Sequence, residues 1–335
     1  MVLLGLGSLL SAWIGSLWQL AVTVGILMAT GAGGSALSVA SSLTARWFES
    51  RRGLVLGLAG AGMSAGQLLV IPLAMSLTVQ WGWRHGFTNL GVIALVLAPF
   101  VFWIVRNDPE EKGLRSYGAG HTAAPGARLL GDERTPLREA LGDTAFWLLA
   151  GSFFVCGYTS TGLIITHLIP HSIDHGFSEM AAARALGVMG AVNIIGTVAS
   201  GWICDRFGRK GPLAFYYFFR GVSLIFLIFV QTVPQLHFFA VIFGLNYIST
   251  MPPTSTLTAQ IFGRRSVGEL YGWIFLSHQV GAALGSYLGG LFFDVTGGYT
   301  VAFLSAAILA FIATGLVLAI EERPRAAAPV PVPAL

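Results

Sequence analysis

Charge is what this 335-residue chain has least of: Asp, Glu, Lys and Arg make up 10% of it, against about 25% in an ordinary soluble domain. That scarcity excludes a large soluble enzyme. Residues 1–45 carry no charge at all. Cysteine is nearly absent. Cys156 and Cys204 are the two, both in apolar surroundings, so neither a disulfide framework nor a cysteine metal cluster is implied. No Gly-Lys-Ser/Thr follows any glycine-rich stretch, so there is no phosphate loop, and no nucleophile triad is apparent. The N-terminus lacks the basic start of a signal peptide, and its apolar run is too long for one. What is abundant is apolar: 55% hydrophobic residues, 43 glycines and a mean hydropathy of +0.74. The bilayer is therefore the solvent for most of the chain, and the glycines suit closely packed membrane helices.

At about 20 apolar residues per span, ten spans are expected. Residues 1–45 exceed one bilayer crossing and must break near Gly15-Ser16-Leu17-Trp18. The next spans are 53–79 and 86–105, then 144–170, 178–203, 212–231, 235–262, 269–293 and 298–320. The organisation read from this is 1–105, four membrane helices; 106–142, a cytoplasmic linker ending in a short helix after Thr135-Pro136; 143–322, six membrane helices; and 323–335, a disordered Pro/Ala-rich cytoplasmic tail. Basic residues set the orientation. With the N-terminus inside, 16 of 19 fall in inside loops, among them Arg46, Arg51, Arg52, Arg128, Arg264, Arg265, Arg323 and Arg325. Arg84 and Arg184 fall outside, and Arg220 lies within a span. Both termini are thus cytoplasmic in a multi-pass protein of the plasma (inner) membrane. The basic balance needs no nucleic acid to explain it.

The chain also repeats itself. Ala45-Arg46-Trp47-Phe48 with Arg51-Arg52 and Gly57 matches Ala259-Gln260-Ile261-Phe262 with Arg264-Arg265 and Gly272, and Gly57 to Gly66 repeats as Gly272 to Gly281. The third and ninth spans are therefore equivalent, and the first half is shorter than the second by two helices, about 60 residues.

Between two spans lies Gly201-Trp202-Ile203-Cys204-Asp205-Arg206-Phe207-Gly208-Arg209-Lys210. This Gly-x-x-x-Asp-Arg-x-Gly-Arg-Lys pattern resembles the cytoplasmic signature loop of the major facilitator superfamily. Trp47-Phe48-Glu49-Ser50-Arg51-Arg52-Gly53, continuing through Gly57 and Gly62 to Gly66, resembles the fifth-helix signature of its monocarboxylate porter and oxalate–formate antiporter branches. The resemblance covers residues 1 to about 320 and implies an all-α integral membrane bundle, here of about ten helices where a full-length member has twelve. It also implies a secondary transporter working by alternating access, as proton symport or anion exchange, on a small organic anion such as a monocarboxylate. The expected partners are that anion, protons and the bilayer; the protein is expected to be monomeric, with no cofactor and no enzyme activity. A second expectation follows from the missing helices: a truncated, transport-incompetent protein of the same family.

Polar side chains inside spans are costly and so become site candidates. Asp205, Arg206, Arg209 and Lys210 are expected to gate, the alternative being a plain basic anchor. Arg220 has two readings: pairing with a substrate carboxylate, or structural bonds to carbonyls or to an acid such as Glu269. His278 and Gln279, Asn246 and Tyr247, and Asn193 are candidate substrate-binding residues; the alternative for each is an interhelical hydrogen bond. His167, His171 and His175 stack at four-residue spacing, as a metal site would require. Pro170 is expected to interrupt that helix and Gly176 to end it, so a metalloenzyme is only a remote alternative, and His167 joins the substrate candidates instead. All 15 acids lie at helix ends or in loops, which leaves His278 as the titratable candidate for proton coupling. The branch's acid/base pair in the sixth span is replaced by Asn193 and Thr197. Stripes Gly53/Gly57, Gly62/Gly66 and Gly281/Gly285/Gly289 are expected to be packing faces.

Overall fold

The computed structural model describes residues 1–33, 37–118 and 134–322, with the backbone alone at 37–38, 67–69, 71–79 and 179. The expected tail at 323–335, the middle of the linker, and Arg128, Arg323 and Arg325 lie outside the described residues.

The apolar runs form helices in chain order: α1 (Val2–Ser11), α2 (Leu17–Gly33), α3 (Leu37–Trp47), α4 (Arg52–Trp81) and α5 (Trp83–Ile104); then α6 (Thr144–Asp174), α7 (Glu179–Phe207), α8 (Lys210–Ile228), α9 (Val233–Asn246), α10 (Met251–Phe262), α11 (Val267–Thr296) and α12 (Thr300–Leu318). Every expected span is occupied by helix. Five helices among the described residues are long and apolar enough to cross a membrane by themselves: α5, α6, nearly all of α7, α8 and α12. The helix α11 is diluted by glycine, serine and His278 along its packed face and by the exposed Gln279. Large apolar side chains point outward, as Phe102, Trp103, Ile195 and Phe229 do, all more than 60% exposed. That is the arrangement of a protein whose outer solvent is hydrocarbon.

Local chemistry sets the helix ends. The Asp143 carboxylate accepts from Ala145 N at 2.9 Å to start α6, and Ser178 Oγ accepts from Ala181 N at 3.2 Å to start α7. Gln235 Oε1 accepts from Thr232 N at the start of α9. Gly208 ends α7 at φ +87°, where a side chain would be strained.

Two features depart from the expected spans. The segment 235–262 is two helices, α9 and α10, with Tyr247–Thr250 between them. The chain also runs helically through Pro170 to Asp174 before Gly176 turns it, so Pro170 does not interrupt α6. A proline removes one backbone donor, a loss that packed membrane helices absorb. Upstream, Tyr158–Ile164 of α6 is a π-helical turn. Carbonyls there are taken up by hydroxyls: Thr159 Oγ1 donates to Val155 O at 2.8 Å and Ser160 Oγ donates to Cys156 O.

Glycine brings helices together at several crossings, two of which position the polar interior and the seam between the halves. A Cβ on Gly57 of α4 would lie 2.7 Å from Thr197 O of α7, and Gly53 faces Gly201 across the same seam. On α11, Gly281 and Gly285 face the Phe154 and Tyr158 carbonyls of α6, while Gly157 of α6 faces His278 O. Gly289 makes room for the His167 ring. Gly62 and Gly66 have open space around them, so the stripe expected there is not a packing face within the described residues. The second half, 143–322, holds most of the fully buried side chains, including Leu149, Phe153, Leu224, Phe239, Phe243 and Phe303.

Both described ends of the linker are fastened. Arg46 pairs with Asp108 at 3.0 Å, and Tyr117 exchanges backbone bonds with Trp47 and Glu49. At the far end, Thr135 N donates to Ser266 Oγ and Thr135 Oγ1 donates to Phe262 O, at 2.6 and 2.8 Å.

Candidate functional site

The break between α9 and α10 organises the polar interior. Peptide groups freed from a helix at membrane depth must find partners inside the protein. Several are met by side chains of neighbouring helices. Arg220 Nη2, on α8, donates to Asn246 O at 2.6 Å and Tyr247 O at 2.9 Å. Asn193 Oδ1, on α7, accepts from Ile248 N at 3.0 Å. Ser200 Oγ donates to Ser249 O, and Met251 N closes a turn onto Ile248 O. Pro252 and Pro253 follow in the first turn of α10, where missing N–H groups do no harm.

Arg220 is fully buried. Its Nε donates to Asn246 Oδ1 at 3.3 Å, and Nη1 reaches Cys156 Sγ at 3.1 Å and Thr159 Oγ1 at 3.4 Å. All five of its N–H groups therefore have an acceptor, and none of those acceptors is a carboxylate. The guanidinium also lies beside the rings of Tyr217 and Phe243, at 5.7 and 5.8 Å. It sits against the carbonyl end of α9, where the helix dipole favours a cation. Glu269 is engaged elsewhere, with Arg134 at 3.0 Å.

Cys156 links Arg220 to the break, since its sulfur also lies 3.1 Å from Thr250 Oγ1. His278 approaches the same region from α11. Its ring is buried between Phe153, centroids 4.9 Å apart, and Phe275, stacked at 5.4 Å. Its Nδ1 lies 3.0 Å from Gln279 Oε1, and Gln279 itself is exposed. Arg220, Asn246, Tyr247 and His278 thus belong to one polar cluster. Asn193 stands at its edge, on the seam with α4. Cys156, Thr159 and Thr250 were not singled out by sequence reading; the Pro252-Pro253 pair was the available signal that a new helix begins there.

The histidine row stands apart from this cluster. His167 Nε2 lies 2.9 Å from Ser286 O, and its ring packs 5.3 Å from that of Tyr299. The His171 and His175 rings are 4.1 Å apart, with His175 Nδ1 on the His171 carbonyl. Among the described residues no three metal-ligating side chains converge. A cleft of about 420 Å³ lined by Asp143, Thr144, Leu148, Ile261 and Glu321 lies at the basic end of the second half and contains none of the candidate residues.

At that basic end the halves are latched. The Asp205 carboxylate accepts from Gly53 N and Leu54 N, both at 2.9 Å, and so caps α4 from the other half. A carboxylate at a helix N-terminus meets both free N–H groups and the positive end of the dipole. The loop's basic residues make their contacts within their own half. Arg206 lies over Trp202 and Phe207, Arg209 donates to Gln260 Oε1 at 2.6 Å, and Lys210 Nζ donates to Ile320 O at 2.7 Å. A second latch comes from Arg264, which pairs with Glu49 at 2.9 Å and donates to the carbonyls of Ala45 and Arg46 at the end of α3. The repeat had flagged Arg264 as a counterpart of Arg51, but nothing in its spacing indicated a contact across the halves.

Residues 1–243 and 200–334 match the family described as Major Facilitator Superfamily. An uncharacterised MFS-type transporter, YcxA, of Bacillus subtilis (strain 168) is 32% identical over 260 residues, which are 76% of this chain and 60% of that protein. Monocarboxylate transporter 12 of Mus musculus is 28% identical over 353 residues, covering 97% of this chain and 72% of the mouse protein. Among solved structures, the E. coli fucose:proton symporter FucP superposes with a TM-score of 0.67 at 15% identity, over 94% of this chain and 81% of its own. The human organic anion transporter MFSD10 superposes at 0.69 and 15% identity, over 94% and 75%. These two structural likenesses speak for the fold.

Proposed function

The chain belongs to the major facilitator superfamily, and on that premise we propose that it moves a small organic anion, a monocarboxylate in the first instance, across the plasma (inner) membrane by alternating access. The observation that carries the reading is the charge of the interior. Arg220 is the one charged side chain in the middle of a described helix, and no carboxylate touches it. Its hydrogen bonds are used up within the protein and none goes to a carboxylate, so it acts on an anion through its field. At an effective dielectric of about 20, a charge about 10 Å away gains roughly 1.7 kcal/mol. An interior of that sign favours anions over cations and neutral solutes. The relatives named monocarboxylate transporters supply the substrate class. His278, Gln279, Asn246 and Tyr247 are the groups we assign to contact with it, and His167 to the outer approach.

Asp205 and Arg264 hold the basic end shut in this conformation, and we take that end as the cytoplasmic one, with both termini there. Coupling is either exchange of one anion for another or symport with a proton carried by His278, since no acid lies mid-span. Thermal unfolding of the purified protein with pyruvate and with its uncharged amide tests the anion reading. Pyruvate is expected to raise the melting temperature and the amide to leave it unchanged. An equal shift with both would remove the argument from Arg220.

A further inference from the structure

One face of α7 meets α4 as a ladder of four residues, each four apart: Asn193, Thr197, Gly201 and Asp205. Opposite them on α4 stand Ser64, Gly57 with Gly60, Gly53, and the free N–H groups of Gly53 and Leu54. The lower three rungs close the basic end. The top rung differs, because Asn193 also holds the break. The orientation of its amide is dictated by its partners: Ile248 N can only donate, so Oδ1 must face it, and Nδ2 is turned to Ser64 Oγ. Oδ1 also accepts from Thr197 Oγ1 at 3.2 Å, the next rung down. Ser64 in turn donates to Gly60 O at 3.3 Å, on the turn of α4 that packs against Thr197 and Ile248.

We propose that Asn193 is a positioning residue that couples the α9–α10 break, and with it the Arg220 cluster, to the latch between the halves. When the break shifts, Ile248 N leaves Oδ1, the amide loses the partner that fixes its orientation, and its bond to Ser64 is weakened. The seam is then free to open from Asn193 toward Asp205. Coupling is reciprocal, so opening the latch must also loosen the break. The proposal rests on the alternating-access reading for its purpose, but its geometry can be tested without any substrate.

The test is hydrogen–deuterium exchange of the whole chain in lipid nanodiscs, following peptides that contain Gly53 and Leu54 and peptides that contain Ile248. Ser64→Ala removes one hydroxyl on α4 and touches nothing in the break. It is expected to speed exchange at Gly53 and Leu54 and also at Ile248, each by roughly 3- to 10-fold, the size of a lost interhelical hydrogen bond in a membrane. Ser64→Thr, which keeps the hydroxyl, is expected to restore both. The double variant Ser64→Ala with Asn193→Ala is expected to match Asn193→Ala alone at the latch. Faster exchange at Gly53 with Ile248 unchanged would make Ser64 an interface residue only and overturn the coupling, as would unchanged exchange at both. Because no substrate enters, a failure of monocarboxylate transport would leave these outcomes readable.

Discussion

At the scale of residues, the unusual fact is a guanidinium buried without an acid. Burying an ion is costly unless every donor is met and its charge is stabilised. Arg220 meets the first condition with five acceptors and the second with the carbonyl end of α9. This separates two jobs that substitutions can tell apart. Arg220→Lys keeps the charge but cannot reach all five acceptors, while Arg220→Gln removes the charge as well. If the field attracts the anion, Arg220→Lys leaves KM within about threefold and lowers the maximal rate, while Arg220→Gln raises KM about tenfold. Concentration-dependent uptake by the two variants checks this; equal KM changes would assign Arg220 to the break alone. The sequence singled out Arg220 because one cation in the middle of an apolar run is conspicuous. Its partners were not legible, because Cys156 and Thr159 come from α6 and Asn246 and Tyr247 from the end of α9 and the break after it, which only the fold brings together.

At the scale of elements, helices and their order were readable from apolar length and from basic loops. The irregularities were not. Hydropathy does not mark the α9–α10 break, for which Pro252-Pro253 is the available signal, nor the π-helical turn of α6. Both are sustained by hydroxyl, amide and guanidinium groups whose aim depends on neighbouring helices. Glycine stripes were readable as stripes but not as contacts: Gly57, Gly281 and Gly285 are pressed against backbone, while Gly62 faces open space. Gly157→Ala is therefore expected to destabilise by about 1–3 kcal/mol, because its Cβ would meet the His278 carbonyl. Gly62→Ala is expected to change stability by no more than about 0.5 kcal/mol. Thermal melts of the two purified variants decide it; equal losses would mean that the α6–α11 crossing is looser than described. The latch gives a second expectation. Asp205→Ala leaves the Gly53 and Leu54 amides uncapped, at a cost of about 0.5–2 kcal/mol to the closed basic end. Faster exchange at the start of α4, with a smaller rise at Ile248 through the coupling to the break, is the expected sign, and unchanged exchange at the start of α4 would remove Asp205 from the latch.

At the scale of the whole molecule, charge is sorted by place. Acids and most basic residues sit at helix ends and loops, the halves meet through Asp205 and Arg264, and a single positive charge stands mid-bundle. That sorting was visible in the sequence as loop asymmetry, whereas Arg264 as a latch was not, since Glu49 and the end of α3 lie more than two hundred residues away in the chain. Coupling follows from the same map. With no acid mid-span, vesicles loaded with a pH indicator are expected to show either no proton movement during anion exchange or proton movement that His278→Ala abolishes; proton movement that survives His278→Ala would place the proton elsewhere. The central claim, anion transport by this bundle, is tested most directly by counterflow. Proteoliposomes containing the 335-residue chain and preloaded with unlabelled pyruvate are placed in labelled pyruvate. The expected result is a transient, saturable accumulation of label that other short monocarboxylates compete away and the uncharged amide does not. Accumulation no greater than in protein-free liposomes, or competition by the amide as strong as by the acids, would contradict it.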